Sequence, residues 1–362
     1  MKKEVLLSVC IPTYNKGERI FALVNDYLSQ IDDRVEVLVV DDCSSDNTRK
    51  LLADIQDERF SFYVNRERFG YPNMVNAMMK GKGKYSILVG DKDRIIWEDG
   101  WLDRLERISD ERDKVSFILC NYLMGSGEYL LNLGVEGIQG RYRQGTMGIF
   151  ELAISCAGFS AGIIWKKDAL LDLFETKLID KENLIWKLYP QMYVTFLMGK
   201  FGDAVAWKEE KFIIREMENK KPNRVFGELI KGKQPYFTIE SRYEQCKSWI
   251  AIINESQSDK HIKNCLLISR VAIISNYIVD YYRMLHKDTN FTDSGLYASY
   301  RLLFEEDKQI KKSEWLRRNM FYIKQLKKEA GTLKNGCDFK LHKYFFRKYC
   351  SVLKNMMKLL II

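Results

Sequence analysis

Val35-Glu36-Val37-Leu38-Val39-Val40-Asp41-Asp42 decides the fold. A nearly unbroken β-branched run of this kind reads as a strand buried on both faces, the habit of parallel sheets. It stops abruptly at two acids, and Ser44 or Ser45 then offers an N-cap for a helix running through Ile55. The same unit recurs to either side. Residues 5–11 (VLLSVCI) form a strand stopped by Pro12, and residues 18–28 space Ile20, Leu23, Val24, Tyr27 and Leu28 as a helix does. Phe60–Val64, 85–89 (YSILV) and 115–119 (VSFIL) are further strands, with helices at Asn73–Lys80 and Trp101–Ile108. Strands alternating with helices make βαβ units: a mostly parallel, Rossmann-like α/β sheet with helices on both faces. Ligands of such sheets bind at the carboxyl ends of the strands, so the loops 12–15, 41–46, 65–70 and 90–94 are where chemistry is expected.

At 362 residues the chain exceeds the roughly 250–300 at which one core stops growing, and two domains are expected. Residues 121–217 mix strand-like stretches (158–165, 204–214) with a helical one (184–199, interrupted by Pro190). Residues 218–236, with Pro222, Pro235 and several lysines, read as a linker. No proline follows Pro235, only Gly295, Gly331 and Gly336 of the 22 glycines lie beyond residue 240, and apolar residues recur at three and four, as in Trp249, Ile252 and Ile253. Residues 237–362 therefore read as an all-helical C-terminal domain. The three histidines are His261, His286 and His342, so any chemistry in the first 260 residues proceeds without imidazole, which excludes Ser-His-Asp, Cys-His and His-ligated zinc sites there. Eight scattered cysteines without a C-x-x-C pair read as reduced thiols of a cytosolic protein. Residues 1–11 resemble a signal peptide, but Glu4 interrupts them and no small-x-small cleavage site follows, so a first strand is the reading. No stretch reaches the apolar length of a membrane span.

Asp91-Lys92-Asp93 follows the strand YSILV and Gly90. Two carboxylates two residues apart on a tight turn suit a hard cation that bridges to a diphosphate, although an isolated D-x-D is more often a solvated turn. Here a second acidic pair, Asp41-Asp42, ends a strand at the same sheet edge, where it serves either a ligand or an Asx turn. With Ser8-Val9-Cys10-Ile11-Pro12-Thr13-Tyr14-Asn15, Val39-Val40-Asp41-Asp42-Cys43-Ser44-Ser45-Asp46, Gly83-Lys84-Tyr85 and Gly90-Asp91-Lys92-Asp93 in this order and spacing, the chain resembles glycosyltransferase family 2. The resemblance covers about residues 4–120 closely and 140–215 loosely. It implies a GT-A fold over residues 1–217, with nucleotide-sugar binding in 1–120 and the acceptor part in 121–217. It further implies an inverting, Mn²⁺- or Mg²⁺-assisted transfer of sugar from a nucleotide-diphosphate donor, in keeping with a UDP-sugar, to a glycan or lipid-linked acceptor in bacterial surface glycan assembly.

Carried over residue by residue, the resemblance implies that Pro12, Thr13 and Tyr14 wall the base pocket, that Asp41 receives the base N–H and that Asn73 lies near the donor. Asp91 then faces ribose and metal, and Asp93 ligates the metal directly. Arg68 lies on a site-side loop, where it can pair with the diphosphate. Inverting transfer needs a general base for the acceptor hydroxyl. Asp180 and Glu182, 87 and 89 residues after Asp93, stand near the expected place, with helix-terminal decoration as the alternative for both and Gln191 as an alternative alignment.

The formal charge of +9 is unevenly placed. Residues 301–362 hold 16 Lys+Arg against 6 Asp+Glu, while the first 300 hold 42 against 43. The stretch 339–362 sets Leu341, Phe345, Tyr349, Val352, Met356 and Leu360 on one helical face among lysines. An anionic membrane surface at the inner face of the plasma membrane, or a homo-oligomer, is the expected partner of that end. No nucleic-acid motif accompanies the charge. A non-catalytic scaffold that keeps the fold and binds through this basic end is the alternative reading.

Overall fold

The computed structural model describes residues 4–97, 100–108, 114–120, 122–124, 129–130, 140–157, 161–207, 213–215, 239–267 and 269–270. The chain divides into two units, Met1–Met217 and Glu218–Ile362.

In the first unit, β1 (Leu7–Thr13), β2 (Val35–Asp41), β3 (Phe60–Val64) and β4 (Tyr85–Leu88) run parallel in the order β3-β2-β1-β4. The sheet continues through β10 (Ile163–Lys166), β6 (Val115–Cys120), β11 (Asp203–Trp207) and β9 (Gly140–Tyr142). β10 lies antiparallel between β4 and β6, so the mostly parallel sheet has one reversed strand inside it, and β9 at the far edge is antiparallel to β11. A second sheet, β5-β12-β7-β8, is built from Asp93–Ile95, Ile213–Arg215, Tyr122–Met124 and Tyr129–Leu130. Its strands are two or three residues long, too short to leave a periodic signal.

Alternation along the strands sends side chains to two cores. Leu7, Val9, Ile11, Val35, Val37 and Val39 pack with Ile20, Leu23, Val24 and Tyr27 of α1 (Gly17–Gln30), Leu52 of α2 (Thr48–Ala53), and Trp101 and Leu105 of α4 (Trp101–Ile108). The alternate residues Cys10, Leu38 and Val40 are just as buried on the opposite side, where α3 (Asn73–Lys80) lies against β1, β2 and β4. Both faces are covered, which explains why β2 reads as a continuous apolar run.

Pro12 does not stop β1; the strand runs on to Thr13. β4 pairs with β1 only as far as Cys10–Leu88, with Val89 N–H donating to Cys10 C=O (3.0 Å). The ring nitrogen of Pro12 faces the side β4 has already left, so no ladder bond is lost. One helix start differs from expectation, and two helices stand where none was expected. α2 starts after Asn47, and Asp46 Oδ1, not Ser44 or Ser45, accepts the Thr48 N–H (3.0 Å). The 184–199 stretch breaks into α7 (Leu184–Leu188), capped by the Asn183 side chain, and α8 (Pro190–Met198) with Pro190 in its first turn, where a missing N–H costs nothing. α5 (Met147–Cys156) and α6 (Lys167–Glu175) stand where no helix was expected.

Of the second unit, a helix spans Ile239–Ser256 with Trp249, Ile250, Ile252 and Ile253 buried, and residues 260–267 are helical behind Asp259, whose side chain accepts the His261 and Ile262 N–H groups (2.8 and 2.9 Å). The linker 218–236 and the basic stretch 339–362 lie outside the described residues. No described helix is long and apolar enough to cross a membrane.

Two tests follow. A Cβ at Gly83 would meet Leu7 C and Ser8 N of β1 at 2.8 Å each, so Gly83→Ala lowers stability by about 1–3 kcal/mol, read as a lower urea midpoint at unchanged slope. Asp203 ties β11 to Arg141 (2.7 Å) and to the Gln144 N–H (2.7 Å). Burial pushes its carboxyl up, but those donors together hold it below the usual range. A depressed folded pKa contributes stability above the unfolded value and loses it as pH falls, so Asp203→Asn flattens the acid limb of the stability–pH curve.

Candidate functional site

The register that pairs Thr13 with Asp41 and Asp41 with Val64 ends three parallel strands together, and their following loops lock to one another. Asp42 N–H donates to Thr13 C=O (2.8 Å) and Asn65 N–H to Asp41 C=O (2.9 Å). Asn15, at φ 52°, donates its N–H to Ser44 Oγ and accepts the Ser45 N–H at Oδ1, both at 2.8 Å. Cys43 also sits in the left-handed region (φ 65°), which turns the chain sharply between Asp42 and Ser44.

The acidic pair is wholly enclosed, and its two members do different work. Asp41, at 0% exposure, accepts the Ser44 N–H and hydroxyl and the Arg49 Nε (3.0 Å). Its expected partner was a base N–H; in this structure the chain itself supplies the donors. Asp42 takes Asn65 Nδ2 (2.9 Å) and the backbone N–H groups of Phe69 (2.8 Å) and Gly70 (2.7 Å). That carboxylate fixes the loop after β3, a role the sequence reading did not give it; the signal was an acid directly after a buried strand. Asn73 is buried as well. Its Nδ2 donates to Val40 C=O (3.0 Å) and its Oδ1 accepts from Asn65 (2.9 Å), so it pins α3 to β2 rather than facing a ligand.

Four of the expected donor residues lie together. The Arg68 guanidinium lies 3.9 Å over the Tyr14 ring, a cation–π pair at the loop edge. Beside Tyr14, the Thr13 hydroxyl is buried and makes no hydrogen bond within the chain. Pro12 is half-buried on the same strand. Phe69 and Tyr71, more than 40% exposed, flank Gly70 on the loop that Asp42 holds.

The D-x-D turn is also built in detail. Asp93 N–H donates to Gly90 C=O (3.1 Å), and Gly90 N–H donates to Asp93 Oδ2 (2.9 Å). A Cβ at Gly90 would meet that oxygen at 2.8 Å, so a side chain there would push the Asp93 carboxylate aside. Asp93 is fully enclosed, and its backbone carbonyl accepts the Tyr27 hydroxyl (3.0 Å), whose oxygen accepts the Ile95 N–H (3.3 Å). Burial raises the Tyr27 pKa, which keeps this donor protonated. Asp91 is the open member: its side chain is 27% exposed, and Arg19 Nε donates to its carbonyl (2.8 Å) and lies 3.5 Å from Oδ2. Among the described residues no three His, Cys, Asp or Glu converge as metal ligands.

Asp180 and Glu182 both face solvent. Glu182 is 86% exposed in side chain and paired with Lys187 (2.6 Å), which holds its carboxyl below the usual range. Asp180 is exposed, and its Oδ1 accepts the Glu182 N–H (2.8 Å) in a local turn. Gln191 is buried in α8.

Residues 8–166 match the family described as Glycosyl transferase family 2. Over that stretch, which is under half of the chain, the sequence resembles glycosyl transferase family 2. The chain is 32% identical over 123 residues to the UDP-Glc:alpha-D-GlcNAc-diphosphoundecaprenol beta-1,3-glucosyltransferase WfaP of Escherichia coli, covering 32% of this chain and 46% of that protein. It is 32% identical over 105 residues to the putative teichuronic acid biosynthesis glycosyltransferase TuaG of Bacillus subtilis, covering 28% and 40%. The chain thus spans less than half the length of these curated relatives. In fold it is similar to S. aureus TarS 1–349, at a TM-score of 0.53, 16% identity and 90% coverage of both chains.

The anchoring role of Asp42 is testable: Asp42→Ala leaves the Phe69 and Gly70 amides without an acceptor. We expect those amides to lose hydrogen-exchange protection and stability to drop by about 2–3 kcal/mol.

Proposed function

We propose that the chain is an inverting glycosyltransferase that takes a sugar from a nucleoside-diphosphate donor at the carboxyl edge of β1, β2 and β4. The observation that carries this reading is the Tyr14–Arg68 pair beside the buried, unpaired Thr13 hydroxyl, on the same edge as the D-x-D turn. A flat ring backed by a guanidinium suits a base, and an unpaired buried hydroxyl suits a ligand polar group. The family assignment supports the reaction class, and relatives named for UDP-glucose transfer to diphosphoundecaprenol-linked GlcNAc support a UDP-sugar and a lipid-linked acceptor.

A divalent cation fits this turn only together with the donor. Asp91 offers a hard carboxylate oxygen with access to solvent, whereas Asp93 turns its carboxylate back onto Gly90 and has to swing outward to reach an ion. With no third acid among the described residues, diphosphate oxygens and water must complete the coordination, as Mg²⁺ and Mn²⁺ allow. Such an ion would offset charge on the departing phosphate. The chain's own contribution is to hold the base against Tyr14 and Arg68 and to keep Asp91 facing the phosphates, so that C1 lies open to the acceptor hydroxyl.

The test is a donor screen by nucleotide release, with and without Mn²⁺. We expect a UDP-sugar to be turned over in a metal-dependent way, and Asp91→Asn to lower kcat/KM by on the order of 10²-fold or more. Wild-type turnover by Asp91→Asn, or no release from any nucleotide sugar in the presence of acceptor lipid extracts, overturns the reading.

A further inference from the structure

Helix α1 sends two side chains to the D-x-D turn. Tyr27 bonds to backbone groups of Asp93 and Ile95 and adds no charge. Arg19 is different: its Nε holds the Asp91 carbonyl at 2.8 Å and stands 3.5 Å from Oδ2, so a full positive charge sits on the one carboxylate of the turn that keeps access to solvent. Asp91 Oδ2 is buried and accepts no hydrogen bond, so its charge is met by Arg19 through the ion pair. The opposite end of the same helix entry is tied to the loop after β2, with Gly17 N–H donating to Asp46 Oδ2 (3.2 Å) and Asn47 Nδ2 to Glu18 Oε1 (2.8 Å), so Arg19 is carried on a segment fixed at both loops.

We infer that Arg19 makes cation binding at Asp91 conditional on the nucleoside diphosphate. The inference rests on the donor reading above and deepens it. A divalent cation that approaches the free protein meets the guanidinium beside the same carboxylate, and with Asp93 Oδ2 turned onto the Gly90 N–H, the partly exposed Asp91 does not offset both charges. No third acid among the described residues makes up the difference. The diphosphate supplies the missing negative charge, and the cation then binds between it and Asp91 while Arg19 stays on the turn. Arg19 is thus a positioning residue that sets the order of binding: nucleotide first or with the metal, with metal alone held only weakly. Because linkage is reciprocal, the factor by which UDP strengthens Mn²⁺ binding is the factor by which Mn²⁺ strengthens UDP binding.

The experiment measures Mn²⁺ binding to the full chain by the electron-spin resonance of free Mn²⁺, with and without UDP. Wild type is expected to bind Mn²⁺ weakly alone and tightly with UDP. Arg19→Gln and Arg19→Met should raise the affinity for Mn²⁺ alone by about tenfold and shrink the UDP–Mn²⁺ coupling by the same factor. Arg19→Lys, which keeps the charge but not the guanidinium geometry, should behave as wild type. Neutral variants whose Mn²⁺ affinity without UDP equals that of wild type, or a lysine variant that matches the neutral ones, overturn the role of Arg19 while UDP–Mn²⁺ binding stays intact. A wild-type chain that binds no Mn²⁺ even with UDP overturns the donor reading itself and this inference with it.

Discussion

Two adjacent carboxylates, Asp41 and Asp42, are buried at the end of β2, and the edge of the sheet depends on how they are satisfied. An enclosed carboxylate carries a desolvation penalty of several kcal/mol unless its oxygens find donors. Strand alternation and the turn at Cys43 send the two groups different ways. One gathers Ser44 and Arg49 on the α2 side; the other gathers Asn65, Phe69 and Gly70. Two loops that would otherwise wander are therefore held to the strand that produced them. Tyr14 and Arg68 meet only because those loops are fixed relative to each other.

A second constraint works across the sheet edge. The turn after β4 cannot be set by β4 alone, because that strand ends at Leu88 while β1 runs three residues further than their pairing. Helix α1 takes over, reaching the turn with Arg19 and Tyr27 and the loop after β2 through Gly17 and Glu18. The sheet supplies direction and the helix supplies spacing, so the Tyr14 and Asp91 ends of the edge belong to one frame.

The sequence was legible where burial is two-sided. Apolar runs such as VEVLVV and the helical spacing of Ile20, Leu23, Val24 and Tyr27 report a strand or helix face whatever the surroundings, and these became β2 and α1. Elements of two or three residues escaped, since pairing with distant partners creates them; β5 exists because Ile213–Arg215 lies beside it. α5 is apolar nearly all round and so has no face to read. Among site residues, identity was easier to read than role. Asp41, Asp42 and Asn73 each carry a polar group that serves a ligand or the chain equally well, and only the positions of Ser44, Arg49, Asn65 and the Phe69 amide decide between them. For Asp180 and Glu182, spacing from the D-x-D carried no information on exposure, and exposure is what separates a surface ion pair from an enclosed acid.

The way Asp42 grips its loop has a consequence for variation. It bonds to the main-chain N–H groups of residues 69 and 70, which every amino acid except proline possesses. Arg66, Glu67, Arg68 and Phe69 can therefore be exchanged without disturbing the course of the backbone beneath them, provided Gly70 keeps its positive φ. The segment is a replaceable cassette on a fixed mount, whose four side chains can change while its frame stays the same.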